Sequence, residues 1–213
     1  MTWDEYCAAW SGLHGGFDPR RASPLVRGWV LLAYKIGFFL TEKRVKPIAV
    51  TLAGVILCLA VPLAALAGRP GYAAGALLVL LASMADGLDG AVAVISNRVT
   101  LTGFVYDSVA DRIGEAAWLA AFWAIGAPGW LVVVAGALSW LHEYIRARAT
   151  AAGMPDIGVV TVGERPARVS IAVTALLLSA LWPILIIPAV AVWILLQMIG
   201  LGQLTFAVRK ALR

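Results

Sequence analysis

Charge is scarce in this chain. Only 14% of its 213 residues are Asp, Glu, Lys or Arg, against about 25% in an average soluble domain. Cysteine is nearly absent. Cys7 and Cys58 lie far apart, which argues against a disulfide framework and against a Cys-based metal site. The two histidines, His14 and His142, show no spacing for a metal site or for nucleophilic catalysis; His142, in an apolar run, is expected to hydrogen-bond within the protein. Basic runs interleaved with aromatics are missing, so nucleic acid is not an expected partner. The first forty residues hold Asp4, Glu5 and a late basic cluster instead of a basic start followed by an apolar core, so no cleavable signal peptide is expected.

What the chain has is apolar length. Hydrophobic residues make up 62% of it, against roughly 45–50% in soluble domains, and the mean hydropathy is +0.88. The excess falls in runs near the ~20 residues that a helical span needs. Six such spans are expected, at about 47–67, 72–95, 104–126, 130–151, 164–181 and 184–207. Arg69-Pro70-Gly71, Ala127-Pro128-Gly129 and Trp182-Pro183 supply turns between them, and 152–163 reads as a loop. Residues 23–40 are amphipathic and carry Arg27 and Lys35, which suits an interfacial helix; a seventh span is the alternative. The expected fold is therefore an all-α, polytopic membrane helical bundle: six transmembrane helices plus an N-terminal interfacial amphipathic helix. Residues 1–44 form a cytoplasmic N-terminal segment and 45–213 the membrane domain; residues 1–21 suggest no function. With the N-terminus inside, Arg69 alone of the seventeen Lys and Arg falls on the far side. The positive-inside rule then predicts a multi-pass cell-membrane protein with a cytoplasmic N-terminus.

Against this background four aspartates stand out. Asp86 and Asp89 are three apart, and Asp107 and Asp111 are four apart. On helices both spacings place the pair on one face. The polar turn Ser96-Asn97-Arg98-Val99-Thr100 separates the pairs, and antiparallel helices joined there would bring all four carboxylates together on the cytoplasmic side. Four anions so placed repel and are costly to desolvate. Divalent cations are the natural compensation, and oxygen-rich sites suit Mg²⁺, Mn²⁺ or Ca²⁺. Buried ion pairs or helix caps are the plainer reading, but few cations lie nearby. A divalent-cation transporter is a different functional reading, though no acidic trail crosses to the other side of the membrane.

The residues Asp86, Asp89, Gly90, Ala93, Gly103, Asp107 and Asp111 stand in register with Asp-x2-Asp-Gly-x2-Ala-Arg-x8-Gly-x3-Asp-x3-Asp. This resembles the signature of the CDP-alcohol phosphatidyltransferases, with one departure: Val94 stands at the family Arg. The resemblance implies an enzyme of phospholipid biosynthesis that transfers a phosphatidyl group from CDP-diacylglycerol to a hydroxyl and releases CMP. It implies Asp86, Asp89 and Asp107 as ligands of one or two Mg²⁺ or Mn²⁺ ions, with Asp111 as base and possible ligand. It places Gly103 near the cytidine; a turn or helix start is the plainer role. Gly87 and Gly90 would let the nucleotide approach the backbone, or serve helix packing. Arg98, one turn beyond Val94, either reaches back in place of the missing Arg or is solvated. Val94 also leaves open a family member with lost or altered activity. Homodimers are what the family implies.

A second cluster is basic. Glu143-Tyr144-Ile145-Arg146-Ala147-Arg148-Ala149 ends the fourth span and Glu164-Arg165-Pro166-Ala167-Arg168 begins the fifth. Both ends are expected on the cytoplasmic side, so Arg146, Arg148, Arg165 and Arg168 can converge, and their forks suit a phosphate dianion. Positive-inside anchoring is the alternative. The segments resemble Ser-Tyr-x-Lys-Ala-Arg-Ala and Glu-Arg-Pro-x-Arg of the phosphatidylinositol-phosphate synthase branch, which implies a phosphorylated polyol acceptor, inositol phosphate first and glycerol phosphate second. Arg146 replaces the family Lys and Glu143 the family Ser, and an acid beside a phosphate pocket is unfavourable. Glu115, one turn beyond Asp111, is expected to have a structural role.

Overall fold

The structure is a computed structural model that describes residues 1–13, 15–154 and 160–213. His14 and the 155–159 part of the expected loop lie outside the described residues. Among the described residues the architecture is all-α, with eight α-helices and two short 3₁₀ turns. They are α1 (Trp3–Leu13), α2 (Pro24–Glu42), α3 (Pro47–Ala65), α4 (Arg69–Ile95), α5 (Leu101–Ile125), α6 (Gly129–Ala151), α7 (Arg165–Leu181) and α8 (Ile186–Ala211). The 3₁₀ turns are Pro19–Arg21 and Pro183–Leu185, the second at the expected Trp182-Pro183 turn. Helix α1 had no assignment from sequence.

All six expected spans are helical, but only some are apolar enough to qualify by composition. Among the described residues, four stretches are long and apolar enough to cross a membrane: Pro24–Glu42, Pro47–Ala65, Arg69–Ile95 and Pro183–Ala211. Helix α5 carries Asp107, Asp111, Arg112 and Glu115, and α6 ends in His142, Glu143, Arg146 and Arg148. Helix α7 has 17 residues. Helix α2, expected in the interface, is itself long and apolar enough to cross.

The chain divides into two compact units, 1–56 with 81–111, and 57–80 with 112–213. In the first, one apolar core joins Tyr6, Val30, Ala33, Val50, Ala85, Leu88, Ala91, Val92 and Val94. Helix α1 is held there by its aromatic residues: Trp3, Tyr6 and Tyr34 pack with centroids 5.1–5.9 Å apart, and the Tyr34 hydroxyl donates to the Met1 carbonyl. Arg20 bridges Asp4 and Asp18. At Gly37 a Cβ would stand only 3.0 Å from the Ala91 methyl, so glycine lets α2 lie close against α4. That contact seats α2 over the part of α4 that carries Asp86 and Asp89.

The second unit packs small residues and large aromatics. Ala135 and Ser139 of α6, with Ala172, Ala175 and Ser179 of α7, are buried, the composition by which membrane helices approach closely. The Trp193 indole of α8 donates to Ser139 Oγ at 2.9 Å and meets Phe122 edge-on. Helix α8 also clasps the segment before α7. Gln197 donates to the Gly163 carbonyl, Gln203 accepts from Val162 N, and a Cβ on Gly200 would strike the Gly163 backbone at 2.8–2.9 Å.

Candidate active site and metal centre

Local turn chemistry brings the aspartates together. Asn97 adopts φ 55°, the left-handed conformation that Asn tolerates. Arg98 N–H then reaches Ala93 O, and Asn97 N–H reaches Val94 O, the paired bonds that close a helix C-terminus. Three residues on, Thr100 Oγ1 accepts from Gly103 N–H at 3.0 Å and starts α5. Gly103 therefore stands at the helix start, where a Cβ would press on Thr100 Oγ1 at 3.0 Å. One helix ends and the next begins within five residues, which returns Asp107 and Asp111 to Asp86.

Asp86, Asp107 and Asp111, all half-buried, each offer a carboxylate oxygen within 4.8 Å of the other two. Oxygens around one octahedral ion at ~2.1 Å stand about 3–4 Å apart, so these three residues fit a hard divalent cation. Asp89 is placed differently. It is buried, and its Oδ2 accepts the Thr51 hydroxyl at 2.5 Å. Thr51, from α3, was missed from sequence because a lone threonine in an apolar run carries no signal of its partner. Gly90 is exposed, and a Cβ there would meet nothing within 4 Å; at Gly87 it would come 3.5 Å from the Trp29 indole. The α4 face beside the aspartates is thus open at Gly90. Val94 is buried in the apolar core of this unit, a position where a guanidinium would be desolvated. Arg98 is exposed on the turn.

The four arginines expected to converge are found in the second unit in unequal states. Arg168 is buried, donates to Glu143 Oε1 at 2.6 Å and places its Nε 3.0 Å from Glu115 Oε1. Arg112 bonds Glu115 at 3.0 Å and lies 3.5 Å from Glu143. Arg146 pairs with Glu164, whose Oε1 also accepts from the backbone and hydroxyl of Thr161. Arg148 is exposed on the last turn of α6, and Arg165 is half-buried as the first residue of α7. His142 is fully buried and bonds Thr161 Oγ1 through Nε2 at 2.8 Å, the internal hydrogen bond expected of it. Glu115 has the structural partners expected of it. The roles of Arg112, Thr161 and Glu164 were missed from sequence, although Glu164 and Arg165 lay side by side in it.

An all-α chain with several helices apolar enough to cross a membrane, and with three carboxylates gathered for a divalent ion, defines a helical membrane protein with a candidate metal centre. The chain belongs to the CDP-alcohol phosphatidyltransferase family, whose sequence profile matches residues 44–206, and it is an enzyme of that class. It is 31% identical to the archaetidylinositol phosphate synthase of Aeropyrum pernix over 134 residues, 60% of this chain and 67% of that one. It is 35% identical to the phosphatidylinositol phosphate synthase of Mycolicibacterium smegmatis over 150 residues, 64% of this chain and 66% of that one. The chain thus spans about two-thirds of the curated relatives it matches. Its fold matches crystal structures of Mycobacterium tuberculosis phosphatidylinositol phosphate synthase at 27% identity and a TM-score of 0.69. One, with manganese and citrate, aligns over 83% of this chain and 88% of that one; the other, with CDP-DAG bound, over 83% and 92%.

Proposed function

We propose that this protein transfers the phosphatidyl group of CDP-diacylglycerol to a hydroxyl of a phosphorylated polyol, inositol phosphate first, and releases CMP. The observation that carries this reading is the carboxylate triad Asp86, Asp107 and Asp111 beside the open backbone at Gly90. The M. tuberculosis relative of the same fold was crystallised with CDP-DAG and with manganese. Divalent ions, two Mg²⁺ or Mn²⁺, would neutralise the carboxylates and stabilise charge on a diphosphate.

The chain's own residues do the rest. Asp86, Asp107 and Asp111 would hold the metal, and Asp89 would join them by turning from Thr51. Gly87 and Gly90 admit the nucleotide, Gly103 lies near its base, and Arg98 supplies the cation that Val94 lacks. Asp111 accepts the proton of the acceptor hydroxyl. The hydroxyl oxygen bonds to the lipid-side phosphorus as the bond from that phosphorus to the bridging oxygen breaks, and CMP departs with that oxygen. Arg146, Arg148, Arg165 and Arg168 receive the acceptor phosphate. In the membrane, α3–α8 span the bilayer over residues 45–213 and α2 lies in the interface within segment 1–44. The N-terminus and the active site face the cytoplasm, and the enzyme is a homodimer.

The test is CMP release by purified protein from CDP-diacylglycerol with inositol phosphate, glycerol phosphate, free inositol and free glycerol in turn. The reading expects release with the phosphorylated acceptors, fastest with inositol phosphate. Glycerol phosphate in first place would move the acceptor assignment and keep the chemistry.

A further inference from the structure

Within the second unit three arginines already have carboxylate partners. Arg112, Arg146 and Arg168 face Glu115, Glu143 and Glu164, three cations to three anions. A phosphate dianion that approaches the Arg168 guanidinium meets a carboxylate already bonded there, and like charges at contact in a half-buried site repel. The three glutamates differ in how firmly they are held. The Glu115 side chain is 1% exposed and fixed between Arg112 and Arg168. Glu164 accepts the Thr161 N–H and hydroxyl as well as Arg146. Glu143 is held through guanidinium groups and its side chain is 30% exposed. The Thr161 hydroxyl gives its one proton to Glu164, so His142 must donate to Thr161 from Nε2. His142 Nδ1 lies 3.7 Å from Glu143 Oε1, beyond hydrogen-bond distance.

We infer that Glu143 is an exchangeable internal anion: it occupies the Arg168 fork until a phosphate monoester takes its place, and so sets the affinity for the phosphorylated acceptor. This rests on the acceptor reading above. Arg168 is buried against Glu143. It now donates through Nη2 to Glu143; with Glu143 turned outward it presents Nη2 to the incoming phosphate.

The experiment uses full-length E143Q and E143S with CDP-diacylglycerol and Mg²⁺. The KM for inositol phosphate should fall about ten- to a hundredfold relative to the KM for CDP-diacylglycerol, the worth of one charge-assisted hydrogen bond. The gain should vanish when R168K is added. Inorganic phosphate serves as the second probe. Removing Glu143 leaves Arg168 short of an anion, so the variants should melt earlier than the parent, and phosphate should raise their melting temperature more than the parent's. An unchanged or raised KM, or a melting temperature indifferent to phosphate, overturns the exchange. A parent that uses free polyols as well as phosphorylated ones contradicts the acceptor assignment instead, and the phosphate-melting arm still reads Glu143 by itself.

Discussion

Asp89 and Asp107 belong to one motif, yet they sit in different surroundings. Asp107 is in the triad and Asp89 holds the Thr51 hydroxyl. D107N should therefore abolish metal binding, read as loss of Mn²⁺ affinity by calorimetry or electron paramagnetic resonance. T51V releases Asp89 and should leave Mn²⁺ affinity equal or higher, whereas D89N should lower it. A T51V protein that binds metal as weakly as D89N would show that the Thr51 bond organises the site instead of competing with it. Asp111 carries a different expectation. As general base it is worth roughly 10²–10⁴ in turnover, so D111N should lose that much with CDP-diacylglycerol binding largely kept. Binding that collapses while bound substrate still turns over would make Asp111 a ligand and not the base. At the acceptor side, Arg148 is exposed, and R148A should raise the acceptor KM roughly ten- to a hundredfold by loss of a charged hydrogen bond. A KM unchanged by R148A would leave this arginine as a membrane anchor. The aspartates were legible in the sequence because i, i+3 and i, i+4 spacing is a local property. The pairing of Arg168 with Glu143 and Glu115 was not, because it depends on three helices meeting.

At the scale of elements, the punctuation residues set the boundaries. Pro24, Pro47 and Arg69-Pro70 stand at helix starts, and Asn97 and Thr100 close and reopen the chain between α4 and α5. These signals, and the apolar length of each run, put all six expected spans within a few residues of the helices found. Helix α1 was illegible because its stability comes from Trp3 and Tyr6 packing on Tyr34, not from its own pattern. The clasp of α8 on the segment before α7 was equally hidden. It depends on Gly200 lying against Gly163 with no room for a Cβ. G200A should push Gly163 away and loosen the neighbouring Thr161–Glu164–Arg146 linkage. We expect a lower melting temperature and a larger rise in acceptor KM than in CDP-diacylglycerol KM. A G200A protein with parent stability would show that the segment yields freely.

For the whole molecule, low charge and long apolar runs make a membrane protein, and two sets of the remaining charges lie where chemistry is expected. One set is the aspartates of α4 and α5; the other is the arginine and glutamate network of α5, α6 and α7. The central claim is a metal-dependent transfer of a phosphatidyl group to a phosphorylated acceptor. The measurement that tests it most directly is CMP release from CDP-diacylglycerol by the purified protein in Mg²⁺, with inositol phosphate against inositol, repeated in excess chelator. The account predicts release with inositol phosphate, little with inositol, and none in chelator. Full activity in chelator, or equal use of the two acceptors, would contradict it.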